Sequence, residues 1–459
     1  MFVLVFRGET REMVPLAMTI AGFDSCGGAG VTADIKTFNM LNVYGVCVIT
    51  ALTAQNTQSV RKVLPVDPKF VEEQLTTVLE DMKIHAVKTG ILPCEDIVDV
   101  VARFVEDYEL TLVIDPVFRS KTGKKFVSER TIQSYIEKLL PLATIVTPNI
   151  YEASLLAKVK IRNVDDMEKA AEKILKTGVK NLIIKGGHLK GKTVTDLFFH
   201  KNKSVFYVKP RLKENLHGGG CFFSAALTAC LARGMDVPQA VEEVESIVQE
   251  VFGFGLKVGK GFAIVNPLVP LYNKAEKYTV YEEVNHALDR ILKEKRVHQF
   301  FAEVGTQIAE ALPYPSKIQH VAAVDGRIRK KGDEIKVGRV KFGVSSHMAR
   351  LILACNKLNP AIRAAINLRY DRRLLDVLRK EGLTISSFDR RLEPKKWKKV
   401  EGKTLDWGVS QAVKKVGKVP DVIYDLGEKG KEPMVRIVGK NVLEIVEKVC
   451  RALANLDTE

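Results

Sequence analysis

No apolar run in this chain approaches the roughly 18 residues that span a membrane. The N-terminus is no signal peptide either: its short apolar start, Met1–Phe6, runs at once into Arg7, Glu9, Arg11 and Glu12. No C-x-x-C pair occurs, and the seven cysteines (26, 47, 94, 221, 230, 355 and 450) have no disulfide-like spacing. An odd number of scattered cysteines in a long chain reads as reduced thiols, so a cytoplasmic location without membrane attachment is expected. No internal repeat and no low-complexity tract is present, which excludes a repeat array.

The chain has 459 residues, 46% hydrophobic and 27% charged, enough for two or three folded domains. The formal charge is +16, and residues 279–459 hold 36 Lys+Arg against 24 Asp+Glu, or +12 of it. Such an excess suits an anionic partner. Nucleic acid, phosphorylated metabolites and a generally lysine-rich proteome all fit that excess equally.

From Leu16 to about Pro267, short β-branched runs alternate with longer amphipathic stretches. Strands are expected at Leu16–Ala21, Cys47–Leu52, Ala86–Thr89, Leu112–Asp115, Ile145–Thr147 and Asn181–Lys185. Helices are expected at Pro68–Met82, Cys94–Tyr108, Glu129–Leu140, Ile150–Ala157 and Val164–Thr177. This pattern argues for βαβ units in a mostly parallel sheet, with ligands beyond the strands' carboxyl ends. The charged helix Tyr281–Val297 is a linker or opens a second domain. A fresh α/β pattern follows, with strands expected at Ile318–Val324, Arg339–Val344, Ala364–Leu368, Val422–Tyr424 and Val435–Val438.

Gly27, Gly28 and Gly30 allow close backbone approach to a ligand, or simply a packing loop. The flanking Asp24 and Asp34 suit a ligand's amine and hydroxyl, or a helix cap. Gln55 ends the next strand, where an amide can read a heterocycle edge or merely form a polar turn. Lys185, at the end of a buried-looking strand, suits a phosphate, or is a surface lysine. His217-Gly218-Gly219-Gly220-Cys221 precedes the apolar helix Phe222–Arg233, so its free N–H groups and the helix dipole face an anion. Cys221 there is expected to have a lowered pKa and to take a proton from an attacking hydroxyl, unless it is a buried structural thiol.

Taken together, GGAG-x-x-AD-x-K-T-F (Gly27–Phe38), YG (Tyr44-Gly45), ITAL-x-AQNT (Ile49–Thr57), TPN-x-x-EA (Thr147–Ala153), KGGH and HG-x-GC resemble the hydroxymethylpyrimidine and phosphomethylpyrimidine kinases, ribokinase-like enzymes of thiamin biosynthesis, over residues 16–270. The resemblance implies two successive phosphorylations by ATP with Mg²⁺. It implies that Gln55 binds the pyrimidine, Asp34 lies near the ligand loop and Lys185 contacts phosphate. Gly218, Gly219 and Gly220 would form the anion hole, and Cys221 would be the catalytic base. Asn149, Glu152 and Asp115 would lie near the Mg²⁺–phosphate region, with Asp115 as metal ligand. Gly219 stands where that family usually has Thr, and Ser25-Cys26 where it has Pro-Ser.

In the C-terminal part, Asp325-Gly326-Arg327 follows an expected strand, and Phe342–Arg350 joins a strand to an apolar helix. Ser345 and Ser346 suit capping of that helix while its N-terminus receives phosphate. Arg327 and Arg350 suit a bidentate clamp on phosphate, and His347 a proton donor to leaving pyrophosphate. A plain N-cap with solvent-facing arginines is the alternative. Asn367–Asp371 and Ser387–Arg390 pair arginine with acid at strand ends, while Asp421, Asp425 and Glu428 read as solvated loop acids or metal ligands. Residues 290–455 resemble the ThiN family, whose members fused to the kinase are similar to thiamin-phosphate synthases. The resemblance implies coupling of the pyrimidine diphosphate to hydroxyethylthiazole phosphate with loss of pyrophosphate.

The expected architecture is a ribokinase-like α/β kinase domain over 16–275, with a mostly parallel central sheet, followed by a second α/β, ThiN-like domain over 285–459. Expected partners are small-molecule pyrimidine and thiazole phosphates, in a homo-oligomer. The alternative is the pyrimidine kinase fused to a non-catalytic ThiN-like sensing module, since such domains also occur beside DNA-binding domains. No helix-turn-helix pattern precedes residue 290, so nucleic acid is not expected. A kinase of a related vitamin such as pyridoxal is a third reading.

Overall fold

A computed structural model describes residues 14–201, 203–212, 216–332, 334–394, 397 and 403–454. The chain divides into two units, Met1–Pro270 and Leu271–Glu459. Among the described residues no helix is long and apolar enough to cross a membrane.

The first unit is built on nine strands: β1 Leu16–Asp24, β2 Tyr44–Gln55, β3 Val60–Pro65, β4 Ala86–Thr89, β5 Leu112–Ile114, β6 Ile145–Val146, β7 Asn181–Ile184, β8 Thr193–His200 and β9 Lys203–Pro210. Their order is β3-β2-β1-β4-β5-β6-β7-β8-β9. β2 to β7 run parallel through β1, and β3, β8 and β9 are antiparallel additions. Apolar runs such as Ala17–Ala21 form central strands because helices cover both faces. The hairpin β8–β9 escapes sequence reading because β9 is largely exposed, its Val205, Phe206 and Val208 included, and shows no alternation of buried and exposed faces.

Helix Pro68–Asp81 starts where Asp67 accepts from the Lys69 N–H and Pro68 fixes the first turn. Val71 and Leu75 bury it against the sheet, and truncating Leu75 to alanine costs about 2–5 kcal/mol. Helix Gly219–Ala232 is apolar on every side and wholly buried from Phe222 onward. It packs against helix Gly30–Met40 and strands β1, β4 and β5. It begins at Gly219, so two of the three glycines lie inside its first turn rather than before it. The expected helix Glu129–Leu140 is broken into an α-turn (Glu129–Ser134), a π-turn (Tyr135–Leu139) and a 3₁₀-turn (Leu140–Leu142). Pro141, which has no N–H to donate, sits at that end.

The second unit opens with helix Lys277–Lys293, and its strands are β10 Gln307–Ala311, β11 Val321–Val324, β12 Arg329–Lys331, β13 Glu334–Lys336, β14 Val340–Phe342, β15 Ala364–Arg369, β16 Ile385–Ser387, β17 Val422–Asp425 and β18 Met434–Gly439. Seven form a sheet in the order β14-β11-β10-β15-β18-β17-β16, while β12 and β13 form a separate hairpin. This sheet is antiparallel except for the pair β16–β17. β10 is invisible in the sequence because its buried Gln307 and Glu310 interrupt any apolar run. Glu310 is satisfied there, accepting from the Val442 N–H at 2.8 Å and from Arg363 at 3.2 Å.

Candidate active sites

In the first unit the two glycine segments meet. Gly218, at φ +88°, is the N-cap of helix Gly219–Ala232. A Cβ there would lie 1.9 Å from the Gly28 carbonyl oxygen, so the approach requires glycine. The Gly30 backbone lies close enough to the Cys221 thiol to pull its pKa down. The first turn of this helix has no side-chain cap and no acidic residue, which leaves its N–H groups available to an anion.

Asp115 directly follows β5 and Lys185 directly follows β7, as expected for ligand groups at the carboxyl ends of parallel strands. Lys185 Nζ donates to Asp115 Oδ1 at 2.9 Å, and Ser224 Oγ donates to Oδ2 at 3.1 Å. A Cβ on Gly220 would come 3.4 Å from Lys185 Nζ and 3.8 Å from Asp115 Oδ2, so the pair stands over the helix start. Burial works against both charges, yet each holds the other ionised: Asp115 below the usual carboxylate range, Lys185 above the usual amine value.

Asn149 and Glu152 form a reciprocal cap on helix Ile150–Ala157. Asn149 Oδ1 accepts from the N–H groups of Tyr151 and Glu152, and Glu152 Oε2 accepts from the Asn149 N–H at 2.8 Å. Burial pushes the Glu152 carboxyl up to about 8 against the pull of Lys185, with Asp115 adding to the rise. Asp115 and Glu152 supply two hard oxygen donors beside a lysine, a set that fits Mg²⁺ rather than a softer ion.

Two expectations need correction. The Cys221 thiol is not acidified: burial pushes it up to about 12, Asp34 and Asp115 add to the rise, and Lys88 and the Gly30 backbone only oppose it. Asp34, expected to serve a ligand or cap the helix, is fully buried, where its Oδ2 accepts from Thr19 Oγ1 at 2.6 Å and Lys88 Nζ at 2.9 Å. Burial raises its pKa although Lys88 resists. Gln55 Nε2 lies 2.9 Å from His217 Nε2, which in turn lies 3.4 Å from Asp24 Oδ2. Asp24 clamps the glycine loop by accepting from the N–H groups of Cys26, Gly28 and Ala29.

In the second unit a cavity of about 420 Å³ brings together Arg327, His347 and Arg350. Arg390, Lys431 and Arg436 add three more cations to its lining, against the single carboxylate of Glu432. Arg327 is held at φ +67°, a left-handed conformation unusual for a side-chain-bearing residue. Its Nη1 donates to the Val304 carbonyl at 2.8 Å. Ser345 is the N-cap of helix Ser346–Asn356, but its side chain makes no capping hydrogen bond.

Two further corrections belong here. His347 is a poor acid: burial, followed by Arg436, Arg390 and Arg327, pushes it down to about 3, so it is neutral near pH 7. Asp425 is neither a solvated loop acid nor a metal ligand. It is buried, with Oδ1 accepting from Arg390 Nε at 2.6 Å and Oδ2 from Arg436 Nη1 at 2.7 Å.

The family described as Phosphomethylpyrimidine kinase matches residues 24–266, and the family Thiamine-phosphate synthase ThiN matches residues 283–451. The Bifunctional thiamine biosynthesis protein ThiDN of Methanocaldococcus jannaschii is 35% identical over 434 residues, covering 94% of this chain and 97% of that protein. The chain belongs to the ThiDN family. Its kinase half is also 37% identical over 253 residues to the hydroxymethylpyrimidine/phosphomethylpyrimidine kinase of Aquifex aeolicus, covering 55% of this chain and 99% of that one. Among solved structures, the ADP complex of Bacillus subtilis pyridoxal kinase has a TM-score of 0.53 at 33% identity, covering 56% of this chain and 99% of that one. The Staphylococcus aureus pyridoxal kinase with AMP-PCP and pyridoxal has a TM-score of 0.52 at 32% identity, covering 55% of this chain and 93% of that one. The ThiDN kinase half therefore has a ribokinase-like fold.

Lys88 and Arg436 were not found by sequence reasoning. Each is a single cation in an apolar strand, AVKT and MVRIVG, and that interruption is the signal that could have found them.

Proposed function

We propose that residues 16–275 phosphorylate hydroxymethylpyrimidine and then its monophosphate with ATP and Mg²⁺. Residues 285–459 then couple the diphosphate to hydroxyethylthiazole phosphate, giving thiamin phosphate and pyrophosphate. One observation carries the kinase reading: Lys185, Asp115 and the Cys221 thiol gather at an uncapped helix start formed where two glycine segments touch.

In this reading the N–H groups of Gly219 and Gly220 with Lys185 hold the migrating phosphoryl group, whose loose transition state rewards positioning and charge neutralisation. Mg²⁺, held by Asp115 and Glu152, would offset phosphate charge. Cys221 Sγ receives the acceptor hydroxyl's proton. At rest the thiol is protonated, so it acts only after its own proton has passed to solvent, once Asp115 is neutralised and Lys88 and the Gly30 backbone favour the thiolate. Gln55, already oriented by His217, meets the pyrimidine edge.

In the second unit Arg327 and Arg350 hold phosphate oxygens. Ionisation of the C–O bond yields a pyrimidine-stabilised cation that the thiazole nitrogen attacks, while the arginines stabilise departing pyrophosphate. His347 serves as a neutral hydrogen-bond donor to it.

The test is the full chain with hydroxymethylpyrimidine, ATP, Mg²⁺ and thiazole phosphate, followed for thiamin phosphate. Cys221→Ala should suppress phosphorylation by about 10²–10⁴-fold and leave coupling of supplied pyrimidine diphosphate intact. Kinase activity without coupling would favour a sensing role for the second unit. The likeness to pyridoxal kinases favours one second reading, pyridoxal as an additional acceptor. A substrate panel with both alcohols decides it.

A further inference from the structure

Three polar side chains form a row across the second sheet, because Gln307, Asn367 and Arg436 are register partners on β10, β15 and β18. All three are buried and all three line the cavity. Two are saturated. Gln307 accepts from the Val324 N–H at 2.9 Å and donates to the Val324 carbonyl at 2.7 Å. Asn367 accepts from the Gln307 N–H at 2.9 Å and donates to the Gly305 carbonyl at 3.3 Å.

Arg436 differs. Only Nη1 is engaged, by Asp425, and among the described residues Nε and Nη2 have no hydrogen-bond partner. Its side chain is 0% exposed. Leaving guanidinium N–H groups buried and unpaired is costly, so a structure that keeps them needs a reason. Asp425 does not supply it, because Arg390 already shares that carboxylate through two hydrogen bonds. On the same cavity, the first turn of helix Ser346–Asn356 lacks a side-chain cap. An orphaned guanidinium and an uncapped helix start facing one cavity call for the same ligand chemistry, a multiply charged oxyanion.

We infer that Arg436, braced by Asp425 and Arg390, is the seat of a phosphate oxyanion in this cavity. Its free Nε–H and Nη2–H groups form the pair of parallel donors that a phosphate accepts. Asp425 acts as a positioning residue: it fixes the guanidinium planes of Arg390 and Arg436 and touches no ligand. The identity of the anion rests on the synthase reading, under which the diphosphate of the pyrimidine and the monophosphate of the thiazole are the two sources. The existence of the seat does not.

The experiment is calorimetric titration of the full chain with inorganic pyrophosphate and, separately, with hydroxyethylthiazole phosphate, for the wild type and Arg436→Lys. Lysine keeps the charge facing Asp425 and loses the bidentate donors. Weakening of at least tenfold for one anion, with the other within twofold, supports the seat and identifies its source. Hydrogen exchange of peptides covering β15 and β18 serves as the folding control. Unchanged binding of both anions overturns the inference. Should Arg436→Lys fail to fold, a wild-type crystal grown with pyrophosphate decides: oxygens within hydrogen-bond distance of Arg436 Nε and Nη2 support it, and oxygens held only by Arg327 and Arg350 overturn it. Wild-type protein that binds pyrophosphate through Arg436 but forms no thiamin phosphate would sink the synthase reading and leave the seat standing.

Discussion

Lys88→Met removes the cation from an ion pair whose two side chains are both 0% exposed. The methionine fills similar volume, so the change is mainly electrostatic. Asp34 keeps one donor, Thr19 Oγ1 at 2.6 Å, and its Oδ1 already has no partner among the described residues. Breaking one side of a buried pair costs on the order of 3–5 kcal/mol. Protonation sets a ceiling, because a stranded carboxyl can always escape by taking up a proton. From an ordinary pKa of 3.8, that escape costs about 1.4 kcal/mol per pH unit, hence about 4 kcal/mol at pH 7.

The ceiling gives the variant a pH signature. Burial already holds the wild-type Asp34 above its ordinary value, and loss of Lys88 raises the variant's carboxyl further, so the deficit is absent until the pH passes the wild-type pKa. It then grows by about 1.4 kcal/mol per unit as pH rises and levels off at the variant's folded pKa. Hydrogen exchange of peptides covering β1 and β4 in the full chain, corrected for intrinsic rates, reads this unit apart from the other. Adding Asp34→Asn should recover most of the loss, since the amide still accepts from Thr19. A deficit under about 1 kcal/mol at pH 7, or one that does not change between pH 5 and pH 7, would show that the pair does not carry the strain assigned to it.

Cys221, pushed up to about 12, should react with iodoacetamide at pH 7 at least tenfold more slowly than free cysteine, followed peptide by peptide; faster labelling would restore the acidified thiol. Glu152, pushed up to about 8, is mostly protonated at pH 7 and must ionise to hold a divalent cation. Binding of a magnesium–nucleotide complex should therefore release up to about one proton at pH 7 and none above about pH 9. Calorimetry in two buffers of different ionisation heat reads this, and equal enthalpies at pH 7 would refute it. Arg327→Gly should lower coupling at least tenfold while leaving the melting temperature unchanged or slightly higher, because glycine relieves the φ of +67°. A marked loss of stability would make Arg327 structural.

The parts of the sites legible in the sequence are those that local physics announces. Glycines before an apolar helix pointed to the helix start at Gly218–Cys221, and strand ends to Asp115 and Lys185, which the fold brings within 2.9 Å. Arg327, His347 and Arg350 converge on one cavity for the same reason, since each sits at a strand or helix terminus. What stayed hidden depends on partners distant in the chain. Lys88 meets Asp34 from 54 positions away, and Asp425 meets Arg390 from 35. A lone charge in an apolar strand says that a partner must exist and not which one, so Asp34 read as a ligand group or helix cap and Asp425 as a solvated acid or metal ligand. Protonation states failed likewise: the helix start before Cys221 is local and visible, whereas its burial and the charges of Asp34 and Asp115, which push the thiol up, are not.

Both units share one device, and the difference between them is informative. Each plants a cation in the middle of a sheet and ties it to a buried carboxylate: Lys88 with Asp34 near Cys221, and Arg436 with Asp425 on the floor of the arginine-lined cavity. A compact ammonium is a point charge, and Lys88 acts on its site through the field it exerts on a thiol that must lose a proton. A guanidinium is a fork: one nitrogen of Arg436 satisfies the carboxylate and two remain for a ligand. The choice of cation thus follows the work at each site, tuning an acid–base group in the first and gripping an oxyanion in the second. By that logic Lys88→Arg should disturb the kinase by overfilling its pocket, whereas Arg436→Lys should leave the charge balance of its unit intact and remove only the grip.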